Sequence, residues 1–556
     1  MMKKRRIFLL VCSIICLPLS GWACTNFLVG KDASVDGSTM ITYSADSYYL
    51  FGSLYHYPAA VYESNQLLDV YEWDTGKYLG QIEQAKETYN VVGNMNEFAV
   101  AIAETTFGGR PELVDTTGIL DYGSLIYITL QRSKTAREAI KIMTDLVEKY
   151  GFCSEGESFS IADPQEVWIM EMVGKGGKEK GAVWVALRIP DDCVSAHANQ
   201  ARITTIPFKD KANCMYSKDV VSFARKQGYF SGKDSEFSFS DTYAPLDYGA
   251  IRLCEARVWS FFRRIDPAMD TYYSYINGET RQRMPLWIKP KTKLLVKEVR
   301  NFMRDHYEGT PLDMTVGAGS GAFASPFRNS PLTYMVDSVE YYHERPVATQ
   351  QTGFTFVAQM RSGMPTSIGG VLWFGVDDAT CNVYVPMYCG MDTVPTCFDT
   401  NNGSLLEFSW TSAFWINNWV ANMVYPQFSY AMEDVRLRQQ ALEDKFDAEL
   451  DSIDRQAIYL YGKDKALAVK FITDFSINQA EEATAKWKKI GEYLMVKRLD
   501  GVLKMEENGK FVQNEKGIPP HVVRPGYPTD YARDEFVTPN PDRFRVKTKE
   551  ELDKRK

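Results

Sequence analysis

Cys24 is the residue around which chemistry can be assembled. It is preceded by a basic cluster (Lys3, Lys4, Arg5, Arg6), an apolar run from Ile7 to about Trp22, and the segment Gly21-Trp22-Ala23. Positive, apolar and small-residue segments in that order read as a secretory leader. A cut after Ala23 places a thiol and a free α-amino group on one carbon. A thiol with pKa about 8.5 is a weak nucleophile at neutral pH, and an α-amine with pKa about 7.7–8.0 is suited to take its proton. The expectation is a nucleophile unmasked when residues 1–23 leave. The same cysteine has two other readings, an ordinary structural cysteine or the lipid-attachment site of a bacterial lipoprotein. Gly21 and the bulky Trp22 suit lipoprotein processing poorly.

Downstream, Asp36-Gly37 marks a turn that returns the chain toward Asp46, which could then hold the Cys24 amine in place. His197 invites comparison with Cys–His pairs, but a histidine that is structural or touches substrate fits better. The chain has ten cysteines and five histidines (His56, His197, His306, His343, His521), with no CxxC and no ligand-like histidine pair. Neither a metal nor another cofactor is expected. Gly317 to Gly321 lacks the Lys-Ser/Thr ending of a phosphate-binding loop. The odd, scattered cysteines after Cys24 imply no disulfide framework, although an exported chain tolerates one or two bridges.

The elements that must position these groups are legible in outline. Thr25 to Val29, Thr39 to Tyr43, Phe98 to Ile102, Glu166 to Val173 and Val183 to Arg188 read as strands. Thr135-Ala136-Arg137-Glu138 is a capping box opening a helix. Its apolar stripe runs from Ala136 through Ile140, Met143 and Val147 to Tyr150, and Gly151 stops it. Strands under a helix layer suggest an α+β sandwich. A second helix is expected through Leu294, Val299 and Met303, and further strands at Phe354 to Gln359 and Gly370 to Phe374. From about Phe428 to Gly501 the chain turns charged and helical, which reads as a solvated face with one apolar stripe. The organisation expected is a leader at 1–23, a core at 24–427, a helical region at 428–507 and a Pro-rich polar arm at 508–556.

With these residues on the page, the sequence resembles the secreted dipeptidases of cysteine-peptidase family sixty-nine, within the N-terminal-nucleophile (Ntn) hydrolases. The resemblance runs from Cys24 through Gly93-Asn94-Met95-Asn96-Glu97, Gly156 to Asp163, Ile189-Pro190-Asp191 and Ala196-His197-Ala198-Asn199-Gln200. It continues at Leu312 to Thr315, Ser325 to Arg328 and Gly369 to Gly375. It implies a four-layer αββα sandwich with Cys24 heading a central strand and attacking a peptide carbonyl, its own α-amine relaying the proton. It further implies Asn199 as an oxyanion donor and Asn96 as a second donor or substrate-orienting group. Family members carry an Arg three residues before the Asp matching Asp46. Here that position is Tyr43, a candidate substrate contact that brings no charge.

A net charge of −8 argues against nucleic acid as a partner. Hydrophobic content of 45% suffices for a large core, and no apolar stretch after the leader is long enough to span a bilayer. The expected partners are short peptides, with a homo-oligomer left open, and the expected location is the periplasm or the exterior of a bacterium. The same machinery could instead serve an acylase cleaving acyl-amino acids or conjugated bile acids. A non-catalytic, lipid-anchored binding protein is the third reading.

Overall fold

The computed structural model describes residues 24–177 and 179–554, so the leader and its expected cut lie outside the described residues. Two antiparallel sheets face each other across the main core. One has seven strands. The strand Asn26–Val29, which follows Cys24, lies between Val194–His197 and Thr39–Asp46, and the sheet continues through Thr352–Met360, Gly370–Val376 and Val385–Tyr388, with Trp287–Ile288 at its far edge. The other has eight strands and is built around Ala101–Gly108, Gly156–Ala162, Val167–Gly174 and Ala182–Ile189. Strands of both sheets are buried on both faces, which explains why they read as continuous apolar runs rather than alternating ones.

Helices cover the outer faces, so the α+β class and the helix–sheet–sheet–helix layering both appear in the structure. Tyr122–Leu130 and Ala136–Tyr150 lie on the eight-stranded sheet. The predicted cap forms: Thr135 Oγ1 accepts from Glu138 N at 3.2 Å, while Glu138 reaches back to Lys134 N at 2.8 Å. Gly151 ends that helix with φ +84°, a conformation that favours glycine. The strand expected at Phe98 to Ile102 starts later, at Ala101. Asn96 organises a turn there, with Ala99 at φ +56°, and this local hydrogen bonding outweighs the apolar run.

The charged C-terminal region forms two long helices, Phe428–Tyr461 and Lys465–Arg498, packed on the seven-stranded side. The reading of its charges as a solvated face needs correction. Glu443, Asp447 and Asp454 share the inward face with Phe446 and Leu450 and meet core arginines. Arg304 pairs with Glu443 at 2.5 Å and Arg300 with Asp447 at 2.5 Å. Arg361 pairs with Asp454, which also accepts from Tyr388 Oη at 2.7 Å. Spacings of four and seven residues place all three carboxylates on one helix face, a pattern that sequence alone cannot distinguish from a solvated stripe. Residues 502–554 form short strands, turns and short helical segments (Thr529–Tyr531, Ala532–Val537 and Lys549–Asp553) that are mostly exposed. Among the described residues no helix is long and apolar enough to cross a membrane.

Removing one partner of a buried ion pair leaves an uncompensated charge and costs about 3–5 kcal/mol. Asp454→Ala is therefore expected to lower the urea midpoint by an amount corresponding to about 3 kcal/mol or more. Asp474→Ala, which removes the exposed partner of Lys470, should leave the midpoint unchanged. Equal midpoints for the two variants, followed by circular dichroism, would contradict a docking role for these arginines.

Candidate active site

Cys24 stands at the head of the strand Asn26–Val29, 7% exposed. The turn after it is closed by Asp36, whose Oδ1 accepts from Ser38 N at 3.1 Å and Ser38 Oγ at 2.6 Å, with Gly37 at φ +75°. The returning strand then pairs Ser44 with Thr25, with hydrogen bonds of 3.0 and 3.2 Å. The hairpin thereby brings Tyr43 and Asp46 to Cys24, as its spacing predicts. Across the interior, Arg257 is fully buried and fastens the chain start. Its Nη1 donates to the Cys24 carbonyl at 2.6 Å and to Thr25 Oγ1 at 2.8 Å, and its Nη2 donates to Asn199 Oδ1 at 2.9 Å. Asn199, at φ +58° in the turn after Val194–His197, donates through Nδ2 to the Thr106 carbonyl at 2.7 Å.

The thiol is surrounded by acidic groups. Cys24 Sγ lies 3.7 Å from Glu104 Oε1 and 3.8 Å from Tyr43 Oη, and the Tyr43 hydroxyl donates a short hydrogen bond to the same carboxylate oxygen. Glu104 comes from Ala101–Gly108 on the opposite sheet, and Glu157 is its diagonal neighbour on the adjacent strand. Burial raises the Glu104 carboxyl. Burial and the Glu104 charge push Glu157 well above the ordinary carboxylate range. Each carboxyl is thereby biased toward its protonated form, since a second ionisation in a desolvated site sets like charges together. Burial, then Glu104, then Asp46 push the Cys24 thiol well up, while the Asp46 backbone N–H and the Tyr43 hydroxyl act the other way.

The carboxylate of Asp46 is already engaged: Arg345 Nη2 donates at 2.8 Å, Thr352 Oγ1 at 2.6 Å and Ser44 Oγ at 2.7 Å. Arg345 thus supplies beside Asp46 a guanidinium that position 43 lacks. Two expected site residues lie elsewhere. Asn96 spends its amide on the Leu130 and Ser133 carbonyls (both 2.7 Å) and its oxygen on Phe98 N and Val100 N, so it is a turn organiser rather than a substrate group. His197 is also not a substrate contact. It is 0% exposed, with Nδ1 on Thr105 Oγ1 and Nε2 on Ser160 Oγ, each at 2.7 Å. Burial, reinforced by Arg202, lowers its pKa to about 3, so it stays neutral.

Cys24 opens into a pocket of about 40 Å³ shared with Asn94, Asp74 and several aromatic rings. On the other side of Arg257 a wider pocket of about 440 Å³ is bordered by Thr106, Asn199 and Arg345. Sequence reasoning missed Glu104, Arg257, Arg345, Asn94 and Asp74. Glu104 carried a signal, a lone carboxylate in the apolar strand Ala101-Ile102-Ala103-Glu104-Thr105. Asn94 sat in a motif from which Asn96 was chosen. The arginines, 233 and 299 residues from the groups they bind, carried none.

The profile of peptidase family C69 matches residues 23–54 and 49–441. A probable dipeptidase of Salmonella dublin is 29% identical over 389 residues, covering 66% of this chain and 81% of that protein. A probable dipeptidase of Latilactobacillus sakei is 27% identical over 81% of this chain and 90% of its own length. Dipeptidase A of Lactobacillus helveticus is 24% identical over 86% and 98%.

Replacing Glu104 by Gln removes the nearest negative charge from Cys24 and keeps an oxygen for Tyr43. A charge at that distance shifts a pKa by about 1–3 units. The pH midpoint for alkylation of Cys24 by iodoacetamide should therefore fall by about one unit or more in Glu104→Gln. Peptide-resolved mass spectrometry separates Cys24 from the other thiols, of which Cys153 and Cys254 are also partly exposed. An unchanged or raised midpoint would contradict the acidic description of the site.

Proposed function

The chain belongs to peptidase family C69, and from that premise we propose that it is an exported cysteine-type dipeptidase whose nucleophile is the Cys24 thiol. The observation that carries this reading is the position of Cys24: it heads a strand of the inner sheet and faces a pocket, and the residue before it is the expected cut site. In the precursor the Cys24 nitrogen belongs to a peptide bond and has no basic lone pair. Removal of residues 1–23 frees it as an amine.

The reaction then follows from proton positions. The Cys24 amine takes the thiol proton as Sγ bonds to the substrate carbonyl carbon, and the carbonyl oxygen becomes an oxyanion. The second Nδ2 hydrogen of Asn199 and the amide of Asn94 are the side-chain donors proposed for it. One well-placed donor contributes about 2.7–4 kcal/mol to such a transition state. The C–N bond breaks as the ammonium of Cys24 protonates the leaving amine, which leaves a thioester. Water gives a proton to the Cys24 amine and adds to the thioester carbon. The C–S bond breaks, and the sulfur recovers its proton.

This reading predicts a mature chain that begins at Cys24. Mass spectrometry of the secreted protein should show that terminus without lipid. Cys24→Ala should abolish release of free amino acids from a dipeptide panel, and Cys24→Ser should leave at most a trace. A mature chain that retains Ala23, diacylglycerol on Cys24, or full activity in the alanine variant would each refute it. Cleavage confined to acyl-amino acids or conjugated bile acids would make the enzyme an acylase instead.

A further inference from the structure

The pocket into which Cys24 opens has an unusual composition for its size. Its far wall is the turn between the strands Leu67–Tyr71 and Tyr78–Glu83, carrying Trp73 and Asp74. Trp73 N donates to Asp121 Oδ2 at 2.9 Å, and Ser124 Oγ donates to the Tyr71 carbonyl at 2.8 Å. Gly123 is required beneath the indole, since a Cβ there would come within 2.4 Å of it. The turn is therefore held in place over the site. Around Asp74 the rings form a continuous wall: Tyr55 lies 4.6 Å from Trp73 and Tyr57 stacks on Tyr127 at 4.7 Å.

No lysine, arginine or histidine lines this pocket among the described residues. Of its carboxylates, Asp46 is satisfied by Arg345 and two hydroxyls. Asp74 has the neutral Tyr122 hydroxyl as its hydrogen-bond donor, at 2.9 Å. Burial and the neighbouring Asp121 and Glu104 charges raise Asp74 to about 7 even so, as expected of a carboxylate held without a counter-ion. A desolvated carboxylate beside aromatic faces is complementary to an organic ammonium, which gains both a charge-assisted hydrogen bond and cation–π attraction.

We propose that Asp74, with Trp73 and the adjoining tyrosines, is the subsite that binds the free α-ammonium of the substrate's N-terminal residue. The proposal rests on the dipeptidase reading above and adds the basis of its selectivity. In a dipeptide the ammonium is one carbon from the scissile carbonyl. When that carbonyl reaches Cys24 Sγ, the ammonium lies in the same small pocket. A substrate whose amine is acylated or missing offers Asp74 no cation and leaves its desolvation uncompensated.

The test compares Ala-Ala with its desamino analogue, propionyl-alanine, on the mature wild-type enzyme and on Asp74→Asn, which preserves shape and removes charge. The expected result is that the wild type favours Ala-Ala in kcat/KM by about 100-fold or more, the size of a charge-assisted contact. Asp74→Asn should reduce this preference to under tenfold, mainly by raising KM for Ala-Ala, with propionyl-alanine turnover unchanged. Equal losses on both substrates would assign Asp74 a structural role and overturn the proposal. So would a retained preference, or a loss confined to substrates with an N-terminal lysine side chain. Each of these leaves the dipeptidase reading intact. A wild type that cleaves propionyl-alanine as well as Ala-Ala, or cleaves neither, would overturn the ammonium subsite, and in the second case the dipeptidase reading with it. Calorimetric binding of Ala-Ala to Cys24→Ala and to Cys24→Ala/Asp74→Asn gives an independent measure: the second should bind at least tenfold more weakly.

Discussion

The buried guanidinium of Arg257 joins the parts of the molecule on which the site depends. It donates to the Cys24 carbonyl, to the Thr25 hydroxyl and to the oxygen of Asn199, and its Nε holds the Leu253 carbonyl at 2.8 Å. The backbone at Cys24 and Thr25 is tied from the side as well as by sheet pairing. The cost of burying a charge is offset by the several hydrogen bonds that this fork makes to oxygens. Removing the guanidinium would leave the Cys24 carbonyl and the Asn199 turn without their common partner.

Around this tie the electrostatics run against easy ionisation of the thiol. Tyr43, Glu104 and Glu157 set acidic groups near the thiol, and the guanidinium of Arg345 is spent on Asp46. A thiol held neutral by its surroundings needs its base at the moment of attack rather than before it. That requirement suits an amine on the same residue. The same acidity extends through Asp74 to the outer wall of the pocket, where it meets aromatic faces instead of a counter-ion. The inner and outer acidic groups thus have different tasks, one concerning a proton and the other a charge brought by the substrate.

The C-terminal helices show how a charged pattern can conceal a core element. Their carboxylates reach inward to Arg300, Arg304 and Arg361, and Arg300 also lies over the Trp373 ring at 4.3 Å. These contacts reinforce the outer side of the seven-stranded sheet, whose inner side carries Cys24.

The order of residues alone determined the Cys24 hairpin with its Asp36-Gly37 turn, the Thr135 cap, the helical character of the charged C-terminal region and the strand-rich α+β character. Each depends on groups a few residues apart, or on a period that the backbone itself imposes. Reading Asn96 as a turn organiser, or His197 as structural rather than reactive, required knowing which hydrogen-bond partners lay nearby, and most of those partners come from distant segments. Glu104 meets Cys24 across two sheets, Arg257 and Arg345 arrive from more than two hundred residues away, and Asp74 is carried in by a hairpin tip. Tertiary structure decided these because burial and charge pairing are properties of a place in the fold, and no local spacing encodes which distant side chain will occupy it.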